Sequence, residues 1–310
     1  MYLNLKKYRF HILATLAFII SSHILNVFNQ GVIAFLLIFS FGIIHGANDL
    51  KLIQKKTQKK SYSFFLKSLL LYVGVVLGGI LLFYTIPSYG LLFFVAFSAF
   101  HFGEQHLESK INPKTPSFLK TLAYISYGLT LFGLLFTLQW NEVHQVIYII
   151  SHFFISKQTT ETLFFIGLGI FILTSLGLPS LRKFLLFEIV LIMFLGLLFS
   201  TTTLILGFGV YFVVWHSIPS IKDQLDFLYS NSKRRNWSYF KSSAPYWLFS
   251  LIGLLFVYIF FDVTTFEFLP LFFSFLAAIT FPHTVVMGWL KLSEEKTTET
   301  IETNERIASK

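Results

Sequence analysis

The chain has 310 residues, of which 55% are hydrophobic and 13% charged, with no cysteine and a formal net charge of +9. A soluble domain carries about 25% charged residues, so this composition predicts an all-α, polytopic transmembrane bundle and leaves little chain for a soluble domain. The missing cysteines exclude disulfides, thiolate catalysis and cysteine-held zinc or iron–sulfur centres.

Met1 to Arg9 is short and basic, with Lys6, Lys7 and Arg9. A first span is expected over about His11 to Phe28; it lacks a small-residue cleavage pattern and reads as a retained helix, not a signal peptide. Span two covers about Val32 to Asn48 and is followed by the lysine-rich stretch Lys51 to Lys60. Span three covers about Phe64 to Tyr84, closed by Pro87, and span four about Leu91 to Gln105. After a polar loop, span five covers about Leu119 to Leu138. Residues 139–160, partly amphipathic, are expected as an interfacial helix on the outer surface. Spans six, seven and eight follow at about Leu163 to Leu178, Phe184 to Ser200 and Leu204 to Ile218. Lys222 to Lys241 reads as a polar loop, and spans nine and ten as about Tyr246 to Phe261 and Leu269 to Leu290. Residues 1–292 thus read as one transmembrane domain, and the Glu/Thr-rich tail 293–310 as a disordered cytoplasmic extension.

Lys and Arg accumulate in cytoplasmic loops. With ten spans and both termini cytoplasmic, every one of the 24 Lys and Arg residues except Lys157 falls on that side. The positive charge is therefore a topology signal in a cell (inner) membrane protein, not a nucleic-acid footprint.

Ionisable groups inside hydrocarbon are costly and mark function. His45, His101, His216 and His283 lie in spans two, four, eight and ten, all running toward the cytoplasm. They precede the next basic residue by 6, 9, 6 and 8 positions, which at 1.5 Å per residue places them at one depth to within about 5 Å. Four imidazoles on four helices at one level can face a common metal ion, and an all-imidazole set suits iron, copper, zinc or nickel. Asp49, four residues after His45, and Glu104, three after His101, sit at spacings that share a helical face with the histidine. They are expected as catalytic-site carboxylates that hold an imidazole N–H, not as metal ligands. Gly46 and Gly103 would allow close helix approach, and Pro282 would kink span ten. Trp215 and Phe281 could line an apolar chamber or face lipid. His11 and His23 are read as structural, His144 and His152 as surface residues. His106 is poorly phased for the His101 site, and Glu188 is expected to pair with Arg182 or Lys183 one turn away.

The stretches GIIHGANDL (42–50), SAFHFGEQ (98–105), VVWHSIPS (213–220) and FPHTVVMGWL (281–290) resemble the bacteriorhodopsin-related-protein family, Brp and Blh. The resemblance covers spans two to ten. The chain departs from the family pattern at Asn48, in a motif that is more apolar elsewhere, and after His216, where Ser217 to Ser220 replaces a second histidine or an arginine. The resemblance implies a membrane β-carotene 15,15′-dioxygenase that uses Fe(II) and O2 to make two retinal molecules, which supply a microbial rhodopsin. It also implies iron ligation by His45, His101, His216 and His283, with Asp49 as a further site residue. The polyene would enter from the bilayer into an apolar tunnel walled by the Phe-rich spans two, four and ten. Two other classes compete. A di-iron desaturase or hydroxylase needs about eight histidines in HxxxH and HxxHH boxes, which the pairs His101/His106 and His144/His152 do not form. A transporter or cofactor-binding membrane protein would show pseudo-repeats and broken helices, and the sequence shows none.

Overall fold

Long runs without charge must satisfy their own backbone hydrogen bonds once water is excluded. Among the described residues the regular structure that does this is helix. The structure is a computed structural model that describes residues 2–260 and 268–308, and among these there is no β-strand. Side-chain caps mark several starts. Asn26 accepts from the Asn29 amide, Ser61 from Phe64, Ser156 from Thr159 and Thr203 from Leu206, each satisfying an orphan amide of a first turn.

In chain order the helices are α1 (Tyr2–Ser22), α2 (Val27–Leu37), α3 (Asp49–Thr57), α4 (Tyr62–Thr85) and α5 (Pro87–Leu107). Then come α6 (Ser117–Leu138), α7 (Trp140–Ser151), α8 (Lys157–Gly177), the single turn α9 (Pro179–Arg182) and α10 (Leu185–Thr201). The last are α11 (Leu204–Val210), α12 (Ile218–Tyr229), α13 (Arg235–Phe260) and α14 (Phe268–Ala308). Two π-helical segments interrupt the α pattern. Ile38–Gly42 continues α2, and Tyr211–Ser217 joins α11 to α12 into one rod from 204 to 229.

That rod is the axis of the fold. Its apolar window is 83% buried by protein, against 6% for α4 and 11% for α13. The rod is a core element, whereas α4 and α13 present apolar side chains outward, as a bilayer requires. Around it pack Ile38, Phe102, Tyr127, Leu195, Phe199 and Phe272, all buried.

Among the described residues six helices are long and apolar enough to cross a membrane: α4, α6, α8, the 204–229 rod, α13 and the first part of α14. The other four expected spans map to α1, to α2 with its π segment, to α5 and to α10, of which 27–42 and 185–201 are apolar but shorter. Ten spans are therefore not established by length and apolarity. Several boundaries also move. The first span ends at Ser22, before a turn, so Val27 and Phe28 belong to the next element. Pro87 opens α5 in its first turn, where its missing amide costs nothing. The expected polar loop 222–241 is mostly helix, because α12 runs to Tyr229 and α13 starts at Arg235. Span nine's end at Phe261 lies outside the described residues. Within 139–160 the amphipathic α7 forms, its apolar side inward at Val143 and Val146. α14 carries Pro282 in its interior and continues to Ala308, taking in most of the tail that composition reads as disordered. The Glu and Lys residues there are good helix formers.

Candidate metal centre

The four histidines expected in spans two, four, eight and ten meet. Their ring centroids form a closed square: His45–His216 5.1 Å, His216–His101 4.9 Å, His101–His283 5.2 Å and His283–His45 4.7 Å. All four are buried, with exposures of 1–5%. His45, His216 and His283 each offer one ring nitrogen, and these nitrogens lie within 4.8 Å of one another. His101 closes the fourth side.

Both π segments sit at this level. The first ends at Gly42, just before His45, and the second contains His216. A Cβ on Gly42 would come 2.9 Å from the Phe212 ring of the second segment, so the two irregular turns face each other closely. An inserted residue re-aims the side chains that follow it, which is why π-bulges gather at functional sites. His45 does not lie in a continuing helix: residues 45–48 form a turn that leads into α3.

That turn re-pairs Asp49. The spacing predicts that it serves His45. Instead it opens α3 and faces His283, whose Nδ1 donates to the two carboxylate oxygens at 2.9 and 3.1 Å. The Tyr72 hydroxyl on α4 donates to the same carboxylate at 3.1 Å. His45 itself directs Nδ1 at the Gly42 carbonyl. Since a carboxylate and a carbonyl can only accept, the proton sits on Nδ1 in both rings, and Nε2 carries the lone pair. Nε2 of His283 is buried and has no hydrogen-bond partner. A buried acceptor without a donor is costly, and a metal ion resolves that cost. The donor set therefore fits a transition metal. Glu104 Oε2 stands 4.0 Å from His101 Nδ1, in keeping with its three-residue spacing.

Backbone braces complete the centre. Gln224 donates to the His45 carbonyl at 2.7 Å and accepts from the Tyr239 hydroxyl at 2.8 Å. Gln105 donates to the His216 carbonyl at 3.0 Å. The apolar walls are Phe102, 4.4 Å from the His216 ring, and Phe212, which stacks on His216 at 5.6 Å and meets His45 edge-on at 5.4 Å. Trp215 and Phe281 point elsewhere: Trp215 donates to Thr15 on α1, and Phe281 packs at Gly79 on α4. Tyr72, Gln224, Phe102 and Phe212 carry no mark in the sequence, although Phe212 precedes His216 by one helical turn.

His106 belongs to a second buried cluster. Its Nε2 is 2.8 Å from Glu188, which also accepts from Lys110 at 2.6 Å, while the ring stacks on Tyr127 at 4.7 Å. Glu188 therefore does not pair with Arg182 or Lys183. The helix breaks at 183–184, so the assumed one-turn spacing does not exist. His11 packs on Trp215 at 5.3 Å, His144 faces the Trp140 carbonyl, and His152 caps α7 with a left-handed φ of 53°. None of them approaches the square.

Fold and centre together define an all-α protein of membrane character with a buried, multi-helix imidazole cluster. The family model described as beta-carotene 15,15′-dioxygenase matches residues 36–291, a range that takes in all four histidines, and the chain belongs to that family. No curated protein and no solved structure matches the chain.

Proposed function

We propose that this chain is an iron(II)-dependent dioxygenase that cleaves the central 15,15′ double bond of β-carotene to give two retinal molecules. The observation that carries the reading is the convergence of four buried imidazoles, with Nε2 of His283 left for a metal, in a chain of this family. One C=C and one O2 become two C=O groups, so the reaction balances without a reductant. His45, His101, His216 and His283 would hold the ion. Iron(II) would supply a redox-active Lewis acid for dioxygen. Asp49 fixes the His283 ring and its tautomer through Nδ1–H, and Glu104 places a carboxylate oxygen 4.0 Å from His101 Nδ1. Phe102 and Phe212 keep water from the cluster and offer the polyene an apolar face. No side chain has to act as an acid, which suits a site without a nucleophile or an acid pair.

The reading includes a single domain over residues 1–292 that makes ten passes through the cell membrane with both termini cytoplasmic. It also includes a carotenoid drawn from the bilayer and retinal passed to a microbial rhodopsin. The test is expression in cells that make β-carotene. Orange colour should fade and retinal should accumulate in air but not under nitrogen. Unchanged carotene with the protein present in the membrane would overturn the reading.

Asp49→Asn should lower retinal formation or iron affinity about 10- to 100-fold, the usual consequence of disturbing a ligand's hydrogen-bond partner. Retinal assay and iron analysis of the purified variant check this. Tyr72→Phe removes one donor to the same carboxylate and leaves the carboxylate itself in place, so its loss should be smaller than that of Asp49→Asn.

A further inference from the structure

A cavity of about 520 Å³ lies between α5, α6, α7 and the start of the 204–229 rod. Its mouth is at Leu92 and Phe153, which are 62% and 59% exposed, and its walls include the buried Val143 and Val146. Its buried lining includes Phe132 and Phe208. The two serines that line it donate their hydroxyls to backbone carbonyls, Ser88 to Ser151 and Ser151 to Ile147, so neither hydroxyl proton is offered to a ligand. The volume is that of a small-molecule site, and apart from these serines and Tyr89 the lining side chains are hydrocarbon.

The cavity points at the histidines. Phe208 stacks on Phe212 at 5.5 Å, and Phe212 stacks on His216. Phe132 stacks on Phe102 at 5.6 Å, and Phe102 lies against the same ring. Two aromatic columns thus run from the cavity lining to one imidazole of the metal centre, one ring deep on each path. A rod-shaped substrate cut at its middle must leave one half on each side of the metal. A mouth among lipid-facing side chains admits a hydrocarbon directly from the bilayer.

We propose that this cavity is the bilayer-facing pocket that holds one end group of the linear apolar polyene while its centre lies at the histidine square. The proposal rests on the dioxygenase reading for the identity of the ligand. Its test separates the two by measuring binding without oxygen. β-Carotene in detergent micelles is mixed under nitrogen with the purified full chain, and the pigment retained through gel filtration is measured. Val146→Trp, which fills the cavity, should retain at least about tenfold less pigment than the unaltered chain, with unchanged iron content. The chain lacks cysteine, so Val146→Cys supplies a single thiol for a small methanethiosulfonate reagent. β-Carotene should slow that labelling at least about tenfold. It should not slow labelling of Ser63→Cys, which is exposed at the start of α4. Equal pigment retention by Val146→Trp, or a Val146→Cys thiol that is never labelled or is labelled equally with carotene present, overturns the proposal. If Val146→Trp does not fold, the labelling result decides alone. Binding as expected with no cleavage once air is admitted removes the dioxygenase reading and leaves the pocket. Cleavage with an unprotected Val146→Cys does the reverse.

Discussion

His283→Ala should abolish retinal formation and bring bound iron down to the level of a metal-free control, and His45→Ala and His216→Ala should do the same. The nitrogens of these three rings lie within 4.8 Å of one another, so each removal opens the tightest part of the donor set. The loss should exceed the roughly 10- to 100-fold expected for Asp49→Asn, because a ligand goes and not its support. His101→Ala should also end cleavage. Its ring touches His216 and His283 from the fourth side while its nitrogens fall outside the close triad, so this variant should keep more iron than the other three. His23→Ala and His144→Ala, on exposed and half-buried positions outside the square, should leave activity and iron unchanged. Iron analysis, retinal chromatography and the amount of protein in the membrane are measured together. Normal activity in His216→Ala would show that the site is drawn wrongly.

The square itself was legible because an imidazole in an apolar run has few structural excuses, and because helix rise converts sequence offset into depth. What was not legible follows from irregular backbone. Extrapolating span two as straight helix through Asn48 assigned Asp49 to His45. The π segment before Gly42 and the turn at 45–48 send it to His283 instead. Neither π segment has a composition cue, since one inserted residue only slips the phase of an already uniformly apolar run. Tyr72 and Gln224 are single polar residues whose partners lie 23 and 179 positions away, beyond any local pattern. Phe102 and Phe212 were hidden among 40 phenylalanines. The Glu188 pairing differs for a related reason: Arg182 and Glu188 are close in sequence but lie on two helices, because the chain breaks between α9 and α10.

The second large effect is expected at a residue that offers no ligand atom itself. Gly103→Ala should lower the yield of folded, detergent-stable protein and its thermal midpoint, and strip iron from what remains. α5 and α6 cross with a glycine from each facing the backbone of the other. A Cβ at Gly103 would fall on the Tyr124 carbonyl, with its carbon at 2.7 Å and its Cα at 2.9 Å, and a Cβ at Gly128 would fall on the Ala99 carbonyl. Side chains can rotate away from an intruding methyl, but a helix carbonyl cannot, so the helices must separate. Overpacking of this kind costs about 1–3 kcal/mol, occasionally more. Separation has a particular consequence here. Ala99, His101, Phe102, Gly103 and Glu104 lie on the stretch of α5 that would be pushed, and with them Gln105, which braces His216. Gly103→Ala and Gly128→Ala press on the same crossing from opposite sides, so both should lose stability and iron together. Gly169→Ala on α8, where a Cβ meets nothing within 4 Å, should be neutral or stabilising, as alanine is the better helix former. Thermal midpoints and iron content of the three variants check this. A Gly103→Ala protein with an unchanged midpoint and full iron would mean that α5 is not held against α6 this closely.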